Sequence, residues 1–239
     1  MSHPIFRRYA SRHGMDFVPI QERGILLSPG WFKPRRNQWL YFEKYQLGRL
    51  LVRYERLIYF DSDILLTPQC PSLFDLVPRG HLGCVFEDRG PLWWERWEEF
   101  ARAQRKLGPL PRKPEGYFNA GVMVLDRAHR TLFDLKSCPP VDGRWPEQTT
   151  LNYHMQRLGL PLQPLEPRCN LVAEFADLWA DESKRRNAWV IHYAGKKNRR
   201  LMAKDFPQIM AAWEPPEPHT RVQPPVVRQR SARERRGPL

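Results

Sequence analysis

The 239-residue sequence contains no apolar run approaching the roughly 20 residues that a membrane-crossing helix needs, so no segment reads as a transmembrane span. Its opening, MSHPIFRRYASRHG, lacks the apolar stretch of a signal peptide, and a cytoplasmic location is expected. Cysteine is scarce. Cys70, Cys84, Cys138 and Cys169 stand far apart, without the CxxC or Cys/His spacing of a zinc module, and are too few for a dense disulfide scaffold. Acidic residues are in deficit, 26 against 39 lysines and arginines, which leaves a net charge of +13. From Glu214 onward six arginines face three glutamates, so that stretch holds +3 and the body +10. A basic field suits a polyanion, whether nucleic acid, a membrane surface or the diphosphate of a sugar donor. No nucleic-acid-binding motif accompanies it, and the aromatics fall in apolar segments rather than on a basic stripe, so no specific nucleic-acid partner is expected.

What is present fits one sizeable α/β domain. Hydrophobic residues make up 41% of the chain, enough for a core over residues 1–212. From 213 to 239 prolines and arginines dominate, and a disordered tail is expected. Ile5–His13 reads as a helix stopped by Gly14, and MDFVPI as a brief strand. A helix is expected over Tyr41–Arg53, then a strand from Leu57 into Leu66 interrupted by two aspartates. Another strand falls at His81–Phe86, and a tryptophan-bearing helix at Leu92–Leu107 ends at Gly108. The strand Tyr117–Leu125, the helix Gln148–Leu158 and the strand Ala188–Tyr193 complete the pattern. Helices alternating with apolar strands predict a layered sheet, mostly parallel and flanked by helices.

The most informative segment is RLIYFDSDILL. Asp61-Ser62-Asp63 places two carboxylates two residues apart at the end of an apolar strand, where open α/β sheets bind ligands. Two anions this close repel, and a divalent cation removes that cost. Oxygen ligands joined by an imidazole suit manganese or magnesium, which can bridge the two phosphates of a nucleotide-sugar. Read by itself, the same tripeptide also fits a surface turn whose aspartates cap a helix.

RLIYFDSDILLTPQCPSLFDL, then YFNAGVMVLD, PEQTTLN and VIHYAGKK, in that order from about Lys44 to Lys197, resemble the glycogenin-like retaining glycosyltransferases of family eight. The resemblance implies a GT-A nucleotide-diphospho-sugar transferase fold and a metal-dependent hexosyltransferase. Its donor would be a nucleotide-sugar, with a UDP-sugar favoured; its acceptor is not identified. It implies Asp61, Asp63 and His192 as ligands to Mn2+, with Mg2+ as the alternative ion. Lys44, Ser62, Asn119, Ala120 and the turn Gly195-Lys196-Lys197 would hold the donor. Glu147 and Gln148, where the family has Asp-Gln, would lie nearest the reacting carbon. After HYAG many members continue to Lys-Pro-Trp, whereas this chain has Asn198-Arg199-Arg200, so the phosphate cation is expected at Lys196 or Lys197.

Two further points follow from the resemblance. Family members open with a strand ahead of the first helix, and here Met1 lies almost at that helix, so the first strand is expected to be missing. Retention can proceed in two steps through a carboxylate or amide nucleophile, or in one same-face step with the departing phosphate as base, and the residues fit either. A catalytically impaired transferase fold acting as a binding module is the alternative function.

Overall fold

Helices and short strands succeed one another much as the apolar pattern suggests. In chain order they are α1 (Ser2–Arg12), a 3-10 helix (Arg36–Gln46), α2 (Leu47–Arg53), β1 (Arg56–Phe60), β2 (Ile64–Leu66), β3 (Leu82–Cys84), α3 (Trp93–Leu107) and β4 (Val122–Asp126). There follow α4 (Pro146–Leu158), β5 (Leu162–Pro164), α5 (Ala176–Trp179), α6 (Glu182–Arg186), β6 (Val190–His192) and α7 (Arg199–Ala212). The computed structural model describes residues 1–25, 27, 36–88, 93–173 and 175–213; Leu92, expected to open the third helix, and the tail from Glu214 lie outside them.

The sheet is mixed, but the expectation of mostly parallel strands is corrected. Four strands run in the order β1-β4-β3-β5, and β2 pairs with β6 in a second, two-stranded sheet. β1 lies antiparallel to β4, from Arg56↔Asp126 to Phe60↔Val122, and β3 is antiparallel to β4 at Gly83↔Val124. Among the named strands of the described residues only β3 with β5 is parallel; an isolated parallel bridge also joins Leu171 to Ile191 of β6. The physical reason is that a continuous apolar run reports burial on both faces and says nothing about direction. Here β4 enters between β1 and β3 from a proline-rich loop, so its direction opposes both. Among the described residues β1 pairs on one edge, and its five residues are half-buried while those of β4 are wholly buried.

β4 separates two cores because successive side chains of a strand point to opposite faces. Val122 and Val124 join one core with Ile5, Phe6 and Tyr9 of α1, all of β2, and Met202 and Ile209 of α7. Met123 and Leu125 join the other with Phe42, Leu47, Leu51, Leu82 and Cys84, and with Leu151 and Met155 of α4. α1 lies over β1, Phe6 stacking on Phe60 at 5.3 Å between ring centroids. MDFVPI forms no strand, contrary to expectation. Pro19 can donate no ladder hydrogen bond, and the segment instead sends Met15 and Phe17 to the first core and Ile20 to the second.

The expected helix at Tyr41–Arg53 is realised as the 3-10 helix continued by α2, while α7 and β5 carry no clear sequence signal. The packed body also extends one residue past the expected boundary. Trp213 is 3% exposed in the first core, its indole N–H donates to Leu66 O at 2.9 Å, and its carbonyl accepts from Arg8 at 3.0 Å. Two ends of the described chain are thereby fastened to β2. Trp213→Ala is expected to cost about 3 kcal/mol, the low end for removing a buried Trp. Urea unfolding followed by far-ultraviolet circular dichroism would read the loss, and an unchanged midpoint would contradict the packing described.

Candidate active site

The two sheets separate at the turn Asp61-Ser62-Asp63, because β1 ends in one and β2 begins in the other. Asp61 N–H donates to Gly121 O at 2.8 Å, tying the turn to β4, and Tyr193 N–H donates to Asp63 O at 2.8 Å, tying it to β6. The antiparallel register Ile64↔His192 then brings the imidazole beside Asp63. His192 Nε2 lies 3.2 Å from Asp63 Oδ1 and 3.9 Å from Asp61 Oδ2. One ligand atom from each of Asp61, Asp63 and His192 falls within 4.8 Å of the others.

Burial alone would pull the His192 imidazolium down, but the hydrogen bond and charge of Asp63, then the charge of Asp61, hold it above the usual histidine value. Burial likewise raises the Asp63 carboxyl, and the hydrogen bond and charge of His192 more than reverse that, leaving it below the ordinary range. The cluster therefore favours a positive charge at the imidazole end. Two carboxylates and one imidazole converging from three directions form the donor set that a hard divalent cation takes, so the residues fit Mn2+ or Mg2+.

Lys44 comes from the 3-10 helix and is 5% exposed. Its ammonium lies 3.4 Å from Asp61 Oδ1 and 3.4 Å from Glu147 Oε1, and donates to Ala120 O at 3.2 Å. Burial would lower its pKa, but Asp61 and Glu147 together raise it, so it is held charged. Burial pushes the Glu147 carboxyl up; Lys44 opposes the rise and Asp61 adds to it. Glu147 Oε2 is buried without a hydrogen-bond partner among the described residues. Tyr59 donates its hydroxyl to Asp61 Oδ1 at 2.6 Å.

Gln148 follows Glu147 on the first turn of α4. Its Oε1 accepts from Ala120 N–H at 2.9 Å and its Nε2 donates to Glu87 Oε2 at 3.1 Å. Asn119 Nδ2 donates to Glu87 Oε1 at 2.5 Å, and Asn119 Oδ1 accepts from Gly121 N–H at 2.8 Å. Glu87 is in turn paired with buried Arg96 of α3 at 3.1 Å, and the Arg96 guanidinium lies 3.5 Å from the Trp145 ring centroid. A Cβ on Gly121 would meet His192 Cε1 at 2.3 Å. The room left by that glycine is thus filled by the His192 imidazole.

The structure gathers Lys44, Asp61, Asp63, Asn119, Ala120, Glu147, Gln148 and His192 into one network. Ser62 stands exposed at the tip of the turn, its carbonyl accepting from the Ser2 hydroxyl at 2.8 Å. Gly195 takes φ 89, a conformation glycine adopts freely, but Lys196 and Lys197 after it are exposed, and their side chains make no hydrogen bond or ion pair among the described residues. Arg199, first residue of α7, bears on Tyr41 instead. Burial and then the charges of Glu147 and Asp63 push the Tyr41 hydroxyl up, Arg199 pulls it back, and Asp61 adds to the rise. Tyr41, Tyr59, Glu87, Arg96, Asn170 and Arg199 were not singled out from the sequence. Glu87 alone carried a usable signal, since it ends an apolar strand as Asp61 does.

A carboxylate pair and imidazole gathered where strands end, on a helix-flanked mixed sheet, defines a GT-A glycosyltransferase fold. The same fold is seen in a solved glycosyltransferase involved in glycosylation of the major capsid of PBCV-1, with TM-score 0.53, 16% identity and coverage of 84% of this chain and 89% of that one. The family profile described as Glycosyl transferase family 8 matches residues 32–197, and the chain belongs to that family. Galactinol synthase 3 of Arabidopsis thaliana is 30% identical over 174 residues, covering 64% of this chain and 49% of its own length. Galactinol synthase 1 of the same plant is 30% identical over 219 residues, covering 79% of this chain and 61% of its own. The chain thus spans about half the length of the first of these relatives.

Lys44→Met keeps the side chain's bulk and removes the charge between two carboxylates. Breaking a buried pair in this way is expected to cost about 3 kcal/mol at pH 8. Glu147 already has a folded pKa above its unfolded value, and losing Lys44 raises it further. Such a carboxyl favours the folded state most below its unfolded pKa and gives that up as pH rises through the folded one. The deficit should therefore shrink from pH 8 towards pH 5. Thermal melts across that range would show it, and a deficit that grows on acidification would refute the assignment.

Proposed function

We propose that the protein transfers a hexosyl group from a nucleotide-diphosphate donor, a UDP-sugar in preference, to an acceptor hydroxyl with retention of configuration. The observation that carries the reading is the continuous network joining the Asp61, Asp63 and His192 cluster to the Lys44, Glu147, Gln148 and Asn119 pocket. A divalent cation held by Asp61, Asp63 and His192, Mn2+ or Mg2+, would neutralise negative charge on the donor's diphosphate. In the transfer the bond from the anomeric carbon to phosphate oxygen breaks, with its electron pair leaving on the nucleotide. The acceptor oxygen bonds to that carbon and gives up its proton to a base.

The chain's own residues divide these tasks. Lys44, held charged, keeps positive charge beside the donor site; the exposed Gly195-Lys196-Lys197 turn would add more to the diphosphate, and Ser62, exposed on the carboxylate turn, would meet the donor there. Asn119 and Gln148 are clamped by Glu87 and Ala120, so they orient the sugar rather than react with it. The oxygen of Gln148 is already engaged by Ala120 N–H, which makes it a poor nucleophile. Glu147 Oε2 has no such engagement among the described residues, and it is the group best placed to stabilise or attack the anomeric centre. The departing phosphate serves equally well as base in a same-face transfer.

The test is a donor screen with Mn2+, UDP-galactose first because relatives are named for galactinol, followed by other UDP- and GDP-sugars. Release of nucleotide and transfer to added sugars would both be read. Asp63→Ala is expected to lower turnover at least about 100-fold, the scale of losing one preorganised charge partner. Full activity in that variant would defeat the reading, and donor binding without turnover would favour a binding module instead.

A further inference from the structure

Asn170 is wholly buried, and its amide stands between two side chains from different parts of the site. β6 fixes its position. Leu171 pairs in parallel with Ile191, its N–H donating to Val190 O at 2.9 Å and its carbonyl accepting from His192 N–H at 2.9 Å. Asn170 is thereby set beside the His192 ring. Its Oδ1 lies 3.0 Å from His192 Nδ1, and its Nδ2 lies 2.9 Å from Asn119 Oδ1.

The directions of these bonds are determined. Gly121 N–H can only donate, and it points at Asn119 Oδ1 at 2.8 Å. Glu87, ionised beside Arg96, can only accept, and it takes Asn119 Nδ2 at 2.5 Å. Asn119 therefore has one amide orientation, with its oxygen towards Asn170. Facing an oxygen, Asn170 must present its NH2 there and its own oxygen to His192. An amide oxygen accepts only, so His192 Nδ1 carries hydrogen, and in the neutral ring the lone pair sits on Nε2, the atom that faces Asp63 and Asp61.

We infer that Asn170 is a positioning residue that couples the metal cluster to the Asn119 and Gln148 pocket. It fixes the tautomer of His192 on one side and the orientation of Asn119 on the other. The inference rests on the metal-and-donor reading above. Groups that hold the second nitrogen of a metal-binding histidine set its ring orientation and basicity. Here one amide does so while also joining the imidazole, through Asn119, to the Glu87 carboxylate.

The test uses the full chain and two variants, with Mn2+ binding followed by electron paramagnetic resonance and nucleotide binding by calorimetry. Asn170→Leu matches the amide in size and removes both bonds; Mn2+ affinity should fall about 10- to 100-fold. Asn170→Asp returns an acceptor to His192 Nδ1–H, so Mn2+ affinity should come back to within about threefold of the unsubstituted protein. Its second oxygen, however, opposes Asn119 Oδ1. At saturating Mn2+, UDP-hexose binding should drop about tenfold while UDP binding, which involves no sugar, changes less than about threefold.

Unaltered Mn2+ affinity in a folded Asn170→Leu protein would overturn the inference and leave the metal reading standing. Equal losses in both variants would overturn it as well, because packing and not the acceptor atom would then be responsible. If the Leu variant does not fold, the Asp variant decides alone: a split between UDP-hexose and UDP supports the inference, and a uniform loss refutes it. Absence of Mn2+ uptake by the unsubstituted protein would remove both readings together.

Discussion

Repulsion among carboxylates, and the cations that relieve it, governs this structure. Asp61 and Asp63 at the β1–β2 turn, Glu87 after β3 and Glu147 at the start of α4 all converge on one region. Three basic groups from different elements meet the four: Lys44 from the 3-10 helix spans Asp61 and Glu147, the His192 imidazole of β6 meets Asp63, and Arg96 of α3 meets Glu87. At low exposure such pairs are weakly screened, so an unbalanced member is expensive. The consequence is architectural. Ion pairs that satisfy the site also hold α3, α4, the 3-10 helix and both sheets in register around it.

How far the sequence discloses this depends on the kind of information each residue carries. His192, a histidine ending an apolar strand, was marked out only by the family resemblance, whereas Asp61 and Asp63 were conspicuous because they interrupt an apolar strand run. Glu87 obeys the same logic and could have been read. Asn170 could not: it precedes LV in an otherwise irregular stretch, and its role arises only when Leu171 pairs with Ile191 across the chain. Arg96 looks like an ordinary helical arginine until α3 is docked. Strand direction was equally hidden, since RLIYF and VMVLD have the composition of strands buried on both faces whichever way they run. Lys196 and Lys197 were chosen for their place after Gly195, and both side chains stand exposed on that turn.

Gly121 shows how closely fold and site are joined. Its missing Cβ leaves the volume that the His192 ring occupies, while its N–H sets the amide of Asn119 and its carbonyl receives Asp61 N–H. One residue thus fixes the position of the imidazole, the direction of a hydrogen-bond chain and the start of the carboxylate turn. An alanine there would push on the ring and move all three at once.

The same bonds limit what the pocket can offer a ligand. Asn119 Oδ1 spends both lone pairs, on Gly121 and Asn170, and one of its amide hydrogens on Glu87. Gln148 commits its oxygen to Ala120 and one amide hydrogen to Glu87. Gln148 also hydrogen-bonds the Tyr117 hydroxyl, so of the two amides only Asn119 keeps an N–H unassigned among the described residues. A donor of fixed direction at Asn119 suits a sugar oxygen, and the rigidity of both amides follows from a single carboxylate, Glu87, that they share. The orientation of the two amides thus depends on where that carboxylate is held, and hence on Arg96, which pairs with it, and on Trp145, over whose ring the Arg96 guanidinium lies.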